Sequence, residues 1–104
     1  MKSKSAISPR QAILEVLIRG ENYGLGIKRA VAERSSLSLG AGTLYPALQS
    51  LERQGLVTSR LEEGGSARGG RPKRFYRLTG EGQAEALESR TEIIGFFGGE
   101  VEYG

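Results

Sequence analysis

No histidine, cysteine, aspartate or tryptophan occurs anywhere in the 104 residues. Without cysteine there is neither a disulfide nor a thiolate nucleophile. Without histidine or aspartate no Ser-His-Asp triad can be assembled. A transition-metal site would have to be built from glutamate alone, a poor ligand set for zinc. Most catalytic constellations are excluded by these gaps, and the expectation is a protein that is not an enzyme and carries no metal or cofactor. Long apolar runs are missing too. The longest, around Ala12 to Ile18, is interrupted by Glu15, whereas a membrane-spanning helix needs about 20 apolar residues. Met1-Lys2-Ser3-Lys4-Ser5 has the charge of a secretory leader, but no uninterrupted apolar stretch follows. A cytoplasmic location and no membrane partner are expected.

Hydrophobic residues make up 38% of the chain, enough for one small core and too much for wholesale disorder. The length suits one compact unit. Charge is spread unevenly. Residues 1–79 carry fourteen basic and six acidic side chains, net +8, whereas residues 80–104 carry Arg90 against six glutamates, net −5. A basic body with an acidic tail suits a polyanionic partner for the body alone.

Ser8, Pro9 and Gln11 form an S-P-x-Q start for a first helix: an N-cap, a proline at the first helical position and a capping box. Ile13, Leu14, Val16, Leu17 and Ile18 give it one broad buried face, and Gly20 stops it. A second helix starts near Asn22 and puts Tyr23, Ile27, Ala30 and Val31 on one face before ending at Arg34-Ser35-Ser36. A third runs from Thr43 to Gln54, with Leu44, Leu48 and Leu51 facing the core and Pro46 confined to its first turns. Leu56 to Glu63 and Phe75 to Leu78 read as strands joined by a glycine-rich tip at residues 64–70. Thr79 caps a last helix in which Ala84, Leu87, Thr91 and Ile94 share a side, and Glu81, Glu85, Glu88 and Glu92 form an acidic stripe. Three helices, a hairpin and a helix predict a mainly α (α+β) fold. The expected architecture is a winged helix-turn-helix, with the C-terminal helix expected to serve dimerisation. A short strand at Leu37 to Leu39 would complete its sheet.

The hairpin carries Arg68, Arg71, Lys73, Arg74 and Arg77 without one acid between Gly64 and Arg77. Clustered like charges repel, and they make sense where phosphates neutralise them and release counterions. On the outer side of the third helix, Thr43, Tyr45, Gln49 and Arg53 supply hydroxyl, phenol, amide and guanidinium groups for phosphate oxygens and base edges. The plainer alternatives are a solvated hairpin, a partly buried Tyr45, and an Arg53 paired with Glu52 or Glu33. Gly24-Leu25-Gly26 and Gly40-Ala41-Gly42 lack the remainder of any nucleotide-loop motif and read as helix starts and close packing.

Gly42-Thr43-Leu44-Tyr45-Pro46-Ala47-Leu48, then Leu51-Glu52 and Gly55-Leu56-Val57, resembles the signature of the PadR family of bacterial transcriptional regulators. Tyr23-Gly24 and the run from Gly70 to Thr79 are similar to that family as well, so the likeness covers about residues 8 to 90. It implies a winged-helix DNA-binding domain at residues 1–79, a dimerisation helix and tail at 80–104, and a repressor acting as a homodimer on a palindromic operator in double-stranded DNA. It also implies DNA-facing positions for Tyr45, Gln49 and the wing residues. Leu87, Ile94 and Phe97 are the candidate dimer contacts, with Phe96 and Phe97 near any small-molecule effector held at the dimer interface. Many members have Ser-Pro where this chain has Gly40-Ala41, so a looser start to the third helix is expected. The alternative is a winged-helix protein-interaction module that does not touch DNA. Replacing Arg71 with alanine should weaken DNA binding alike on all sequences and lower the slope of log affinity against log salt by about one unit, as read by titration at several salt concentrations.

Overall fold

The computed structural model describes residues 7–35, 37–63 and 72–101, with residues 91–101 as helical backbone only. The chain runs α1 (Pro9–Leu17), β1 (Asn22–Tyr23), α2 (Gly24–Arg34), α3 (Ala41–Arg53), β2 (Val57–Glu62), β3 (Lys73–Leu78) and α4 (Gly80–Val101). Ser8 caps α1 as its sequence demands. Its hydroxyl accepts from the Gln11 N–H at 3.1 Å, and its own N–H donates to Gln11 Oε1 at 3.2 Å. Such a cap contributes roughly 1 kcal/mol. Gly20 and Gly55, which close α1 and α3, have φ of +140° and +79°, a backbone region costly for any side-chain-bearing residue.

The α1 face of Ile13, Leu14 and Leu17 packs with Ile27 and Val31 of α2 and with Leu44, Leu48 and Leu51 of α3. Each such side chain contributes about 1.5–3 kcal/mol on burial. Pro46 is tolerated as the sixth residue of α3. It cannot donate to the Gly42 carbonyl, but Gly42 lies at an exposed position where water can serve. No side chain caps α3; Gly40 occupies that position.

The third strand lies elsewhere than the sequence suggests. Asn22 and Tyr23, expected to open the second helix, instead pair with Tyr76 and Phe75 of β3, and α2 starts at Gly24. The sheet order is β1-β3-β2, antiparallel throughout. Leu37 to Leu39 form no strand. Leu39 is a core plug, 2% exposed, and Leu37 packs beside the core. Two leucines bracketing a serine look like strand alternation, but here burial is satisfied without a ladder.

The start of α4 is welded to the α3–β2 junction. The Thr79 hydroxyl donates to the Gly55 carbonyl at 2.7 Å and accepts from the Gly82 N–H at 3.0 Å, while the Thr79 N–H donates to the Leu56 carbonyl at 3.0 Å. A methyl on Gly82 would collide with the Leu56 carbonyl oxygen. This approach is so close that α4 meets its own core through Gly82, Ala86 and Ser89, all buried. Ala84 and Leu87 lie on the exposed side, Leu87 at 50%. The side chains of Thr91, Ile94, Phe96 and Phe97 lie outside the described residues. Two ion pairs tie α4 to α1. Arg10 donates to Glu85 at 3.1 Å, and Arg90 grips Glu15 bidentately at 2.9 and 2.7 Å. Glu85 is thus drawn out of the acidic stripe.

Adding a methyl to a helix glycine ordinarily stabilises by about 0.5–1 kcal/mol. At Gly42, where a methyl meets open space, alanine should raise the melting temperature. At Gly82 the backbone collision should outweigh that gain, for a net loss of roughly 1–2 kcal/mol. Thermal unfolding of the two variants should therefore move in opposite directions.

Candidate nucleic-acid interface

Helix α3 presents three different edges. Leu44, Leu48 and Leu51 face inward. Gln49 and Arg53, spaced four apart, point outward and are exposed. Among the described residues Arg53 has no ion pair with Glu52, Glu33 or any other acid. Tyr45 and Glu52, seven apart, share the edge toward the hairpin, and Thr43 lies exposed on the opposite edge. Tyr45 is 43% exposed, and its ring and hydroxyl press on Gly24 at the start of α2. It is therefore neither a core aromatic nor a free one. A Cβ at position 24 would force the Tyr45 ring to shift.

Strand alternation sorts the hairpin into two faces. The inner face carries Val57, Ser59 and Leu61 of β2 beside Arg74, Tyr76 and Leu78 of β3. The outer face carries Thr58, Arg60 and Glu62 beside Lys73, Phe75 and Arg77, with Tyr23 of β1 opposite Phe75. Lys73 and Arg74, adjacent in sequence, therefore point to opposite sides. Arg68 and Arg71 lie outside the described residues.

The outer face is largely self-neutralised. Arg60 donates to both Glu21 oxygens at 2.8 and 2.9 Å and to Glu62 at 3.1 Å, and it lies 5.1 Å from the Phe75 ring centre. Hydrogen bonding from Arg60 holds the Glu21 carboxyl below its ordinary pKa, and the same bonds raise that of Arg60. Lys73 Nζ sits 4.9 Å over the Tyr23 ring, and the Tyr23 and Phe75 rings lie 5.5 Å apart.

The inner face opens toward α3. Tyr23, Gly24, Leu25, Tyr45, Lys73 and Arg74 help wall a recess of about 300 Å³ between the start of α2, the edge of α3 and the base of the hairpin. Arg74 Nη1 donates to Ser59 Oγ at 3.1 Å, and Ser59 in turn donates to Glu52 of α3 at 2.8 Å. Burial pushes the Tyr76 hydroxyl above its ordinary pKa. Ser59 is not singled out by the sequence, and Glu52 enters there only as a partner for Arg53. The available signal was register: Ser59 lies diagonally across the ladder from Arg74 on the same face.

The structure thus brings Tyr45, Lys73 and Arg74 together at the recess, leaves Gln49 and Arg53 exposed on the outward side of α3, and turns Thr43 to the opposite edge of that helix. No cluster of three or more metal-ligating side chains occurs among the described residues, and no described helix is long and apolar enough to cross a membrane.

A family model described as the transcriptional regulator PadR-like family matches residues 13–88. The chain is 30% identical over 86 residues to the transcriptional regulator YqjI of Escherichia coli (strain K12), covering 81% of this chain and 38% of that protein. It therefore spans well under half the length of the curated relatives it matches. Among solved structures it is similar to a PadR family transcription regulator from Clostridium difficile R20291, with a TM-score of 0.71 and 28% identity over 86% of this chain and 96% of the other. It is also similar to Bacillus subtilis PadR in complex with operator DNA, with a TM-score of 0.64 and 28% identity over 76% of this chain and 44% of the other. Gln49→Ala should keep the fold, since the side chain is exposed, and should relax base preference at one operator position by about 1–3 kcal/mol. Selection from random duplexes checks this; an unchanged consensus would remove Gln49 from base reading.

Proposed function

This chain belongs to the transcriptional regulator PadR-like family, and from that membership we propose that it binds specific double-stranded DNA through α3 and the hairpin and represses transcription by occluding polymerase in the cytoplasm. The observation that carries this reading is the outward display of Gln49 and Arg53 on α3, next to the edge where Tyr45 and Arg74 wall the recess. Helix α3 supplies groups for base edges, and the hairpin supplies cations for the backbone. Arg53, without an ion pair among the described residues, has its guanidinium available. Arg68, Arg71 and Lys73 are assigned to phosphate and Thr43 to the flank of the same groove. Selection of binding sites from random duplexes, followed by mobility shifts at several salt concentrations, tests the proposal. A salt-insensitive, sequence-blind profile overturns it.

The acting species in this reading is a homodimer on a palindromic operator, with half-sites about 34–36 Å apart or a multiple of that distance. Its support is the proportion of the helices. α4 has 22 residues and α1 nine, about 33 Å against 14 Å, so α1 covers less than half of the helix it is pinned to. Leu87, with Ile94 and Phe97 further along, is assigned to the subunit seam. An effector would sit in the cavity of about 380 Å³ walled by Ala12, Val16, Arg19, Val31 and Arg34, which α4 reaches through Arg90. Leu87→Glu combined with Ile94→Glu should produce a monomer in sedimentation and weaken operator binding by a factor of ten or more, since two buried unpaired charges cost several kcal/mol. A double variant that stays dimeric with full affinity moves the interface elsewhere.

A further inference from the structure

Two arginines of the hairpin are held in opposite ways. Arg60, on the outer face, gives its Nε and Nη2 to Glu21 and its Nη1 to Glu62. Its bidentate edge is consumed by a direct ion pair. Arg74, on the inner face beside the recess, is also directed by a carboxylate, but at one remove. Its Nη1 meets Ser59 Oγ at 3.1 Å, and the Ser59 hydroxyl donates to Glu52 Oε2 at 2.8 Å. An ionised carboxylate only accepts and a hydroxyl has a single proton. Once that proton points at Glu52, the serine oxygen can only accept toward Arg74. Glu52 therefore sets the polarity of the serine without closing on the guanidinium. Nε and Nη2 of Arg74 make no hydrogen bond among the described residues, so with respect to those residues the edge that fits an anionic oxygen pair is open.

We propose that Ser59, oriented by Glu52, is a positioning residue that holds Arg74 in register with α3 and presents its open edge to a DNA phosphate. The proposal rests on the DNA-binding reading and adds a division of labour to it. Glu52 belongs to α3 and Arg74 to the hairpin, so the relay fixes the spacing between the two elements that must meet DNA together. A long side chain held in its working rotamer has less freedom to lose on binding. Lys73, drawn over Tyr23 on the other face, has no such support.

The test is a double-mutant cycle on selected operator DNA, with Ser59→Ala, Arg74→Ala and both together, plus Ser59→Thr. Arg74→Ala should weaken binding and lower the salt slope by about one unit. Ser59→Ala should weaken binding about three- to tenfold while keeping the salt slope, because the cation remains but is no longer held. The double variant should match Arg74→Ala, and Ser59→Thr should restore affinity because it keeps the hydroxyl. Independent, multiplying losses overturn the proposal, as does full affinity in Ser59→Ala. If Arg74→Ala binds normally with an unchanged slope, the relay has no role in binding although the DNA-binding reading stands. If the unmodified chain binds no DNA, both fall. Nitrogen relaxation at the Arg74 Nε–H of the unmodified free protein gives a measurement that needs no variant: an ordered signal supports the relay, and a freely mobile one overturns it.

Discussion

The Leu56 carbonyl is the point on which the architecture turns. It accepts from the Thr79 N–H, and it faces Gly82 at a distance no side chain at that position would permit. Within that small volume α3 ends, β2 begins, β3 ends and α4 begins. Helix α3, the hairpin and α4 are therefore oriented by one shared junction, with Thr79 bridging it by two further hydrogen bonds. A shift of α4 cannot be absorbed by a flexible linker, because only Thr79 separates it from β3. Arg10 adds a second tie, reaching Glu85 of α4 and Gln54 at the end of α3 from one guanidinium.

Local chemistry was legible in the sequence; tertiary pairing was not. The Ser8–Gln11 capping box, the Leu44–Leu48–Leu51 face and the Thr79 cap depend on residues three or four apart, and the structure places each where the spacing put it. Asn22 and Tyr23 became a strand because β3, some fifty residues later, offered them an edge. Nothing local to them signals that partner. Leu37 and Leu39 imitate a strand because alternation records burial, and a core plug is buried as surely as a strand. In α4 the eye follows leucine and isoleucine, whereas the seam with its own core uses Gly82, Ala86 and Ser89, whose smallness is what matters there.

The candidate interface divides in the same way. Exposure of Gln49 and Arg53 follows from helical periodicity alone. The opposed directions of Lys73 and Arg74 follow from strand alternation once the strand is known to begin at Lys73. The carboxylates behind Arg60 and Arg74 could not be read from the hairpin, since Glu21 meets Arg60 directly and Glu52 meets Ser59, the partner of Arg74, from other elements. A count of basic residues along the hairpin treats these arginines as equals. The fold makes one a structural clasp and, among the described residues, leaves the other with an open edge.

The ion pairs within the described residues are all between arginine and glutamate: Arg10–Glu85, Arg60–Glu21, Arg60–Glu62 and Arg90–Glu15. Arginine stays charged at any pH a cell reaches, and glutamate loses its proton near pH 4–5. Hydrogen bonding from Arg60 carries the Glu21 transition lower still, so what that pair contributes is present above the ordinary glutamate range and fades only as pH falls through the lowered value. With no histidine or cysteine in the chain, no side chain changes charge across the neutral range. The side-chain charge is constant there. The pull of these side chains on any polyanion therefore answers to the surrounding salt and not to protons near neutrality.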